Sequence, residues 1–232
     1  MKSTDWNELA LQYCPIRDSR LVRVFPASLR LLAEMGCSTL LDYGAGDGRF
    51  VEAWLESSDG TAVVYDPAPR MREMAAARLS RFRERVRVVG NLDGLEPEFD
   101  AVTFHAVWMC VPSRDACLDC LCDAHRLLRD GGVFIASVTH PCFRDRQFAT
   151  FRTSFDMDKY PEEGSPFEVS MFDGERVIKF TDYHWSLGEM SRQLNEAGFV
   201  IVQICELPDV DEAPWPRAFP WLMLVGRKSK SL

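Results

Sequence analysis

Short apolar segments alternate along the first 140 residues with longer segments in which apolar side chains recur every three or four positions. The short segments are typical of strands buried in a sheet, and the longer ones are typical of helices that pack through one face. The predicted strands are residues 38–43, 61–65, 86–89, 99–104 and 133–138, and the predicted helices are residues 49–57, 70–82 and 115–129. Strands separated by helices connect through parallel crossovers. The pattern therefore predicts a doubly wound α/β sheet.

The alternation stops after the fifth predicted strand. The segment 142–184 is largely polar and acidic, and it contains a predicted hairpin made of residues 167–172 and 176–180, joined at an Asp173-Gly174 turn. We expect this segment to be an inserted lid.

The two ends of the chain complete the predicted architecture. Apolar spacing up to about Met35 predicts one or two helices, so we expect residues 1–36 to form an N-terminal helical cap. A helix over residues 186–197 precedes two strands, residues 199–207 and 221–225, which are too close in sequence for a crossover and can pair antiparallel. We predict a Rossmann-like, seven-stranded doubly wound sheet whose last strand is antiparallel. The whole chain, residues 1–232, is then a single domain.

The composition is that of an ordinary globular protein, with 47% hydrophobic and 27% charged residues. A net charge of −8 argues against a general nucleic-acid binder, which needs a basic face for phosphates. The acidic residues concentrate in two segments: residues 153–182 carry eight acids against three bases, and residues 205–216 carry four acids and no base. This distribution favours a neutral or cationic small molecule as the ligand beneath the lid.

Arginine is frequent in and after the second predicted crossover helix. The residues are Arg70, Arg72, Arg78, Arg81, Arg83, Arg85 and Arg87, against Glu73 and Glu84. Such a run is commonly the solvated outer face of a helix, and a nucleic-acid surface is the alternative. Phe82 is the only aromatic side chain among them, which does not favour base stacking.

The eight cysteines are expected to be thiols in a cytoplasmic protein. The first residues are polar and lack the apolar centre of a signal peptide, and no apolar run reaches the ~18 residues of a membrane span. Cys117, Cys120, Cys122 and His125 lie in a predicted helix, where their spacing points them in different directions. We therefore expect buried thiols there and no metal site.

A glycine-rich loop, Asp42-Tyr43-Gly44-Ala45-Gly46-Asp47-Gly48, follows the first predicted strand and precedes the first crossover helix. Glycines let the backbone turn sharply and approach a ligand, and the helix N-terminus has free N–H donors. In an open α/β sheet, ligands bind at this edge. The loop is therefore the leading candidate for a binding site.

The spacing of these glycines separates two classes of ligand. Dinucleotide enzymes have a third glycine five positions after the first, and that position is Arg49 here. Asp66 ends the second predicted strand, where a carboxylate can accept from both hydroxyls of a ribose. Together, the loop and this strand-end carboxylate indicate an adenosyl ligand.

The D-x-G-x-G-x-G arrangement resembles the loop of class I S-adenosylmethionine-dependent methyltransferases, and the likeness covers roughly residues 39–138 and 199–225. Phe99-Asp100-Ala101-Val102 and the segment 127–132 match two further family landmarks, with Asp130 where proline is common. The resemblance implies S-adenosyl-L-methionine as cofactor. It also implies an enzyme that moves a methyl group to an O or N atom of a small molecule by direct displacement.

The resemblance also implies which residues bind the cofactor. They are Asp42, Gly44, Ala45, Gly46, Gly48, Asp66, Pro67, Met71, Asn91, Leu92 and His105. Asn91 stands where the family often has aspartate, and its side-chain oxygen can still accept a hydrogen bond from the adenine amino group.

His140-Pro141-Cys142-Phe143 and Tyr183-His184 resemble a bacterial subgroup of small-molecule methyltransferases. His140 is the candidate catalytic base at the carboxyl end of a strand, and its alternative role is a hydrogen bond to a loop backbone. The candidate substrate-binding residues are Tyr13, Trp108, Tyr183 and His184, although Tyr13 and Trp108 could instead be core residues and Tyr183-His184 an ordinary strand end.

Three other functions stay open at this point. The arginine run permits a tRNA-modifying methyltransferase, a glycine-rich loop is also found in NAD-dependent oxidoreductases, and a non-catalytic protein could bind the same adenosyl ligand. If the protein is a small-molecule methyltransferase, we expect a small-molecule acceptor, no membrane or nucleic-acid partner, and a monomer or homodimer.

Overall fold

The computed structural model describes residues 3–17, 19–209 and 218–229. The strands are β1 (Thr39–Tyr43), β2 (Thr61–Tyr65), β3 (Val86–Val89), β4 (Phe99–His105), β5 (Leu128–Thr139), β6 (Phe151–Ser154), β7 (Pro166–Asp173), β8 (Arg176–Tyr183), β9 (Phe199–Leu207) and β10 (Trp221–Lys228). The α-helices are α1 (Trp6–Tyr13), α2 (Phe25–Glu34), α3 (Arg49–Ser57), α4 (Pro69–Arg78), α5 (Arg114–Leu127) and α6 (Leu187–Glu196).

Seven strands form one mixed sheet in the order β3-β2-β1-β4-β5-β10-β9. Strands β1 to β5 are mutually parallel, and β10 pairs antiparallel with both β5 and β9. The predicted seven-stranded, Rossmann-like sheet with an antiparallel last strand is confirmed. The chain enters the edge strand β9 before it returns through β10, so the last strand lies inside the sheet.

Side chains that alternate along the central strands pack on both faces of this sheet. Leu40 and Ala101 contribute to the core that also contains Trp54 of α3, whereas Leu41 and Val102 contribute to the core on the opposite face. Every residue of β4 is buried, as expected for a strand covered on both sides. Helices on both faces therefore hold the carboxyl ends of β1, β2 and β4 at one edge.

Two α-helices precede the sheet, and a π-helical turn at Arg20–Val24 leads directly into the second. Asp5 caps α1 by accepting from the backbone N–H groups of Asn7 and Glu8. The ring of Trp6 lies 5.3 Å from that of Phe180 in β8. The first helix is thus attached to the inserted segment.

The inserted segment forms an antiparallel sheet in the order β6-β7-β8, whose first strand the sequence pattern did not predict. The hairpin between β7 and β8 is present, but its two turn residues are Gly174 and Glu175, because Asp173 still pairs with Arg176. Gly174 has φ +60°, a conformation that favours glycine.

Several further boundaries differ from the sequence expectations, most of all those of the second crossover helix and of β5. The second crossover helix ends at Arg78 and is followed by a separate 3₁₀ turn at Ser80–Phe82. Strand β5 begins at Leu128, five residues earlier than expected, and its register with β4 shifts before Val133. The shift accommodates Gly131-Gly132 inside the strand.

The cysteines form no disulfides within the described part of the chain. Cys117 is buried and Cys122 is exposed, and all eight cysteines lie in the described part of the chain as free thiols. Among the described residues, none of the helices is long and apolar enough to cross a bilayer.

Candidate active site

A cavity of about 280 Å³ opens at the carboxyl ends of β1, β2 and β4. The glycine loop after β1 forms its floor, α1 and α4 form one wall, and the residues after β4 form another. Of the residues predicted to bind the cofactor or substrate, those lining it are Tyr13, Asp42, Gly44, Ala45, Gly46, Asp66, Pro67, Met71 and His105. The structure therefore brings together most of the predicted cofactor site.

Hydrogen bonds hold the glycine loop against the neighbouring strand. The N–H groups of Gly44 and Ala45 both donate to the Tyr65 carbonyl, at 2.8 and 2.9 Å. The next amide, of Gly46, donates to Oδ2 of Asp66 at 2.8 Å. The loop after β1 is thus positioned by the end of β2.

Close packing explains why glycine occupies two loop positions. Gly44 has φ +70°, and a Cβ atom there would lie 2.6 Å from a methyl carbon of Val107. Gly48 has φ +78°, caps α3 and faces Ala75 and Leu79, 3.0 to 3.2 Å from where a Cβ would lie. Gly48 supports the loop from below and does not line the cavity.

Two buried carboxyl groups lie beside this loop. Asp66 accepts from the amides of Gly46 and Ala68, each at 2.8 Å, and burial raises its pKa above the ordinary value. Asp42 accepts a 2.7 Å hydrogen bond from the Thr103 hydroxyl. Burial raises the pKa of Asp42 to about 7, with a small contribution from the Asp66 charge.

A methionine and a cysteine connect the cavity wall to the N-terminal helix. Met71 is buried, and its Sδ lies 3.5 Å from Sγ of Cys14, the residue after α1. The Arg70 amide donates to the side-chain oxygen of Asn7. Helix α1 therefore covers α4 at the mouth of the cavity.

His105 ends β4 and presents one nitrogen that has no partner among the described residues. Its Nδ1 lies 3.0 Å from the Ser137 hydroxyl, whereas its Nε2 is buried and makes no hydrogen bond. The ring packs edge-on against Phe50. Burial lowers the pKa of His105 to about 3, so the imidazole is neutral near pH 7.

The next residue, Ala106, has φ +58°, a strained conformation for a residue with a Cβ. Its amide donates to the Ser137 carbonyl, and the residue lines the cavity directly after β4.

Comparison with known proteins relates this site to one class of enzymes. Residues 41–134 match a family model described as a methyltransferase domain. N-demethylindolmycin N-methyltransferase of Streptomyces griseus is 28% identical over 210 residues, which are 87% of this chain and 87% of that protein. Both matches are methyltransferases, and the chain is an enzyme of this kind.

Solved structures share the fold of this methyltransferase. An S-adenosylmethionine-dependent methyltransferase from Clostridium acetobutylicum ATCC 824 superposes with a TM-score of 0.68 at 12% identity, covering 97% of this chain and 99% of that one. The 1,6-didemethyltoxoflavin-N1-methyltransferase of Burkholderia thailandensis superposes with a TM-score of 0.57 at 24% identity, covering 88% of this chain and 77% of that one.

Two residues expected beside the adenine lie away from the methyltransferase cavity. Asn91 is exposed, and its side-chain oxygen accepts from the amide of Asp93. Leu92 is buried in the core below the sheet edge. Neither residue lines the cavity.

His140 is also outside the cavity of the methyltransferase. It lies directly after β5, is buried, and caps a short 3₁₀ turn by accepting from the Cys142 amide at Nδ1. Its Nε2 lies 3.0 Å from Oε1 of Glu206. Both ring nitrogens therefore have protein partners, which corresponds to the alternative role of His140.

Three candidate substrate residues are likewise bonded within the protein. Trp108 is fully buried and donates to Gln193 at 2.8 Å, and the Tyr183 hydroxyl lies 2.6 Å from that of Ser3. His184 stacks on Phe155 with ring centres 4.1 Å apart and lies 3.0 Å from Arg144. None of the three lines the cavity, whereas Tyr13 does.

Several cavity residues of the methyltransferase were not predicted from its sequence. They include Arg20, Phe25, Phe50, Val107 and Cys110. Apart from Arg20, their residue types are common in apolar cores, so only the tertiary fold shows that they line the cavity. The φ of Ala106 has no counterpart in the sequence pattern.

Most of the arginine run is bonded within the protein. Arg78 pairs with Asp47 at 2.7 Å, and Arg72 donates to the Asp66 and Pro67 carbonyls. Arg85 donates to three backbone carbonyls at the end of α3 and just after it, and Arg81 pairs with Glu52 and Glu56. These contacts join α4 and the chain after it to α3, which corresponds to the structural reading of the run.

Proposed function

We propose that the enzyme binds S-adenosylmethionine in the 280 Å³ cavity and transfers its methyl group to an N or O atom of a small molecule. The observation that carries the proposal is the Gly46–Asp66 hydrogen bond. It joins a strand-end carboxylate to a glycine loop beside one cavity, in a chain that is similar to methyltransferases.

The groups around the cavity fit this cofactor. Each Asp66 oxygen accepts one backbone N–H and has a further lone pair, which suits the two hydroxyls of a ribose. Pro67 and Met71 supply apolar surface for the adenine. Asp42 and the unpartnered Nε2 of His105 are polar groups suited to the methionyl end. A cavity without a polar ligand would leave that nitrogen without a hydrogen bond, which is costly when buried.

Bound in this way, the cofactor supplies a methyl group on a positively charged sulfur. The protein orients the cofactor and the acceptor and excludes water, because a direct displacement needs no covalent protein intermediate. Holding the reacting atoms in a near-attack geometry can contribute roughly 7–11 kcal/mol. We propose that the cap of residues 1–36 and the lid of residues 142–184 close this site within the single domain 1–232.

A small acceptor is the proposal best supported by the surroundings of the cavity. The related Streptomyces griseus and Burkholderia thailandensis proteins are named for N-methylation of small molecules. Acidic residues concentrate in the lid, which favours a neutral or cationic acceptor. We further propose that the enzyme acts in the cytoplasm as a monomer or homodimer. Arg72, Arg78 and Arg85, which would serve a tRNA substrate, already bond within the protein.

Calorimetric titration with S-adenosylhomocysteine tests the cofactor site, and the same protein incubated with methyl-labelled S-adenosylmethionine and a metabolite extract tests the transfer. We expect one binding site per chain and label in the small-molecule fraction. Absence of binding would overturn the proposed site. Label recovered in RNA instead would overturn the acceptor class.

A further inference from the structure

A narrow pocket of about 20 Å³ lies beneath the lid and shares several wall residues with the larger cavity. The shared residues are Trp6, Tyr13, Arg20, Ala106 and Cys110. The remaining wall comes from the lid sheet, from the ends of β5 and β10, and from Met109 after β4. A volume of this size holds one water molecule or one polar group of a larger ligand.

Asp182 projects into this pocket from the inner face of the lid. Along β8, alternate residues Ile178, Phe180 and Asp182 share one face, and Phe167 and Val169 of β7 lie beside them. The other four side chains on this face are apolar, and Asp182 among them is only 1% exposed. The lid therefore carries a carboxylate at a position where its pattern has apolar residues.

The carboxyl group of Asp182 has a single, weak hydrogen-bond donor among the described residues. Among the described residues its hydrogen-bond partner is the Cys110 thiol, at 3.9 Å from Oδ1, and a thiol is a weak donor. Burial raises the pKa of Asp182 to about 7, opposed by the charges of Arg144 and Arg20. A buried carboxyl group with so few donors is costly unless a water molecule or a ligand supplies one.

A second polar atom faces the same pocket. The Thr139 hydroxyl at the end of β5 is buried and has no hydrogen-bond partner among the described residues. It lies in a different element from Asp182, so the two groups are independent indications of a missing polar partner.

Aromatic side chains surround these two groups. The rings of Trp6 and Tyr13 lie 5.1 Å apart, and each lies within 6 Å of Phe180. Phe151 and Trp221 line the opposite side, with ring centres 5.5 Å apart. Walls of this kind suit a flat aromatic ring better than a flexible aliphatic chain.

We propose that Asp182, assisted by Thr139, binds an N–H or O–H group of an aromatic methyl acceptor whose ring lies against Trp6, Tyr13 and Phe180. The inference rests on the proposed function, because the acceptor must share the larger cavity with the cofactor. One donor group enters the narrow pocket, and the rest of the acceptor lies beside Tyr13. The substrate class is thus an aromatic compound with at least one N–H or O–H group.

Matched pairs of fluorinated probes test the proposal by ¹⁹F NMR titration of the full-length protein saturated with S-adenosylhomocysteine. The first pair is 5-fluoroindole and 5-fluoro-1-methylindole, and the second is 6-fluoro-2-naphthol and 6-fluoro-2-methoxynaphthalene. Within each pair the rings are alike, and only the first compound has the donor. We expect the donor compound of at least one pair to bind about tenfold or more tightly than its methylated partner.

The variants Asp182→Ala and Asp182→Asn complete the test. We expect D182A to weaken the preferred probe about tenfold or more and to abolish the preference within the pair, while D182N retains part of it. Asp173→Asn, an exposed change in the same hairpin, should leave the affinity unchanged. Binding of S-adenosylhomocysteine should be equal in all of these proteins, which also shows that they fold.

Two results would overturn the proposal. One is the same affinity, or no binding, for both members of each pair. The other is an unchanged preference in D182A. Failure of the wild-type protein to bind S-adenosylhomocysteine is a different result, since it would refute the proposed function itself.

Discussion

The backbone N–H of Gly46 lies 2.8 Å from Oδ2 of Asp66, which joins the glycine loop after β1 to the end of β2. One carboxylate thus has two tasks. It fixes the loop on the protein side, and its remaining lone pairs face the cavity where we place the ribose of the cofactor.

Replacing Asp66 by alanine removes both tasks. We expect Asp66→Ala to weaken S-adenosylhomocysteine binding on the order of ten- to hundredfold, the loss expected for hydrogen bonds to a charged group. Calorimetric titration measures the change. Asp59→Ala is the matched control, because Asp59 is exposed and precedes the opposite end of the same strand, β2. Equal affinities in all three proteins would show that Asp66 does not bind the ribose.

Gly44 and Gly94 permit a clean test of loop packing. Both have positive φ, at +70° and +69°, but a Cβ on Gly94 meets nothing within 4 Å, whereas one on Gly44 lies 2.6 Å from Val107. Alanine at either position costs roughly 1–2 kcal/mol of unfolding free energy for the left-handed conformation alone. We expect Gly44→Ala to cost more than Gly94→Ala and to weaken cofactor binding as well.

Urea denaturation and calorimetry of the two variants measure these effects. Val107→Ala in the Gly44→Ala background removes the two γ-methyl groups nearest the added Cβ and should recover part of the loss. Equal stability losses for Gly44→Ala and Gly94→Ala would contradict the close contact.

The parallel part of the sheet could be predicted from the sequence because its signals are local. The apolar spacing of residues 49–57 and 61–65 predicted α3 and β2 with their observed ends. Strand β6 has only four residues and is stabilised by pairing with β7, twelve or more residues away. Its hydrogen bonds depend on a hairpin that lies further along the chain, so the local sequence pattern does not indicate this strand.

The candidate site likewise contains residues that local motifs predict and residues that only the tertiary structure reveals. The glycine loop and Asp66 belong to motifs that are read within a few residues, and both line the cavity. Asp182 looks like an ordinary strand-end acid until the lid folds and its face is known. Conversely, Trp108 and His184 have chemistry suited to a ligand, but their bonds to Gln193 and Arg144 are visible only in the tertiary structure.

Replacing His140 tests whether its role is structural or catalytic. Its ring nitrogens bond to the Cys142 amide and to Glu206, so we expect His140→Ala to lower the free energy of unfolding by roughly 1–3 kcal/mol. We expect kcat to change less than about threefold and the cofactor affinity to stay constant, because His140 does not line the cavity.

The paired control is Glu206→Gln, whose amide oxygen keeps an acceptor for Nε2. It should retain most of the stability. A large fall in kcat in His140→Ala with unchanged stability would instead support the catalytic role that the sequence suggested.

Asp42 and Asp100 predict opposite effects of pH on stability. Burial raises the pKa of Asp42 to about 7, from an unfolded value near 3.8. Between these values the unfolded chain releases the proton first, so the stability associated with this group falls as pH rises from about 4 to 7 and is constant above. Asp42→Asn removes this loss and keeps an oxygen that can accept from Thr103.

We expect Asp42→Asn to gain stability over the wild type as pH rises from 4 to 8, by a few kcal/mol in total, given roughly 1.4 kcal/mol per pKa unit. For Asp100, burial is outweighed by hydrogen bonds from Ser38 and Thr39 and by Arg129, so its pKa is lowered. Its contribution is present above the unfolded pKa and is lost as pH falls, so Asp100→Asn should be destabilised at pH 8. Urea denaturation of the cofactor-free proteins at pH 4 to 8 measures both, and a pH-independent effect of Asp42→Asn would refute the raised pKa.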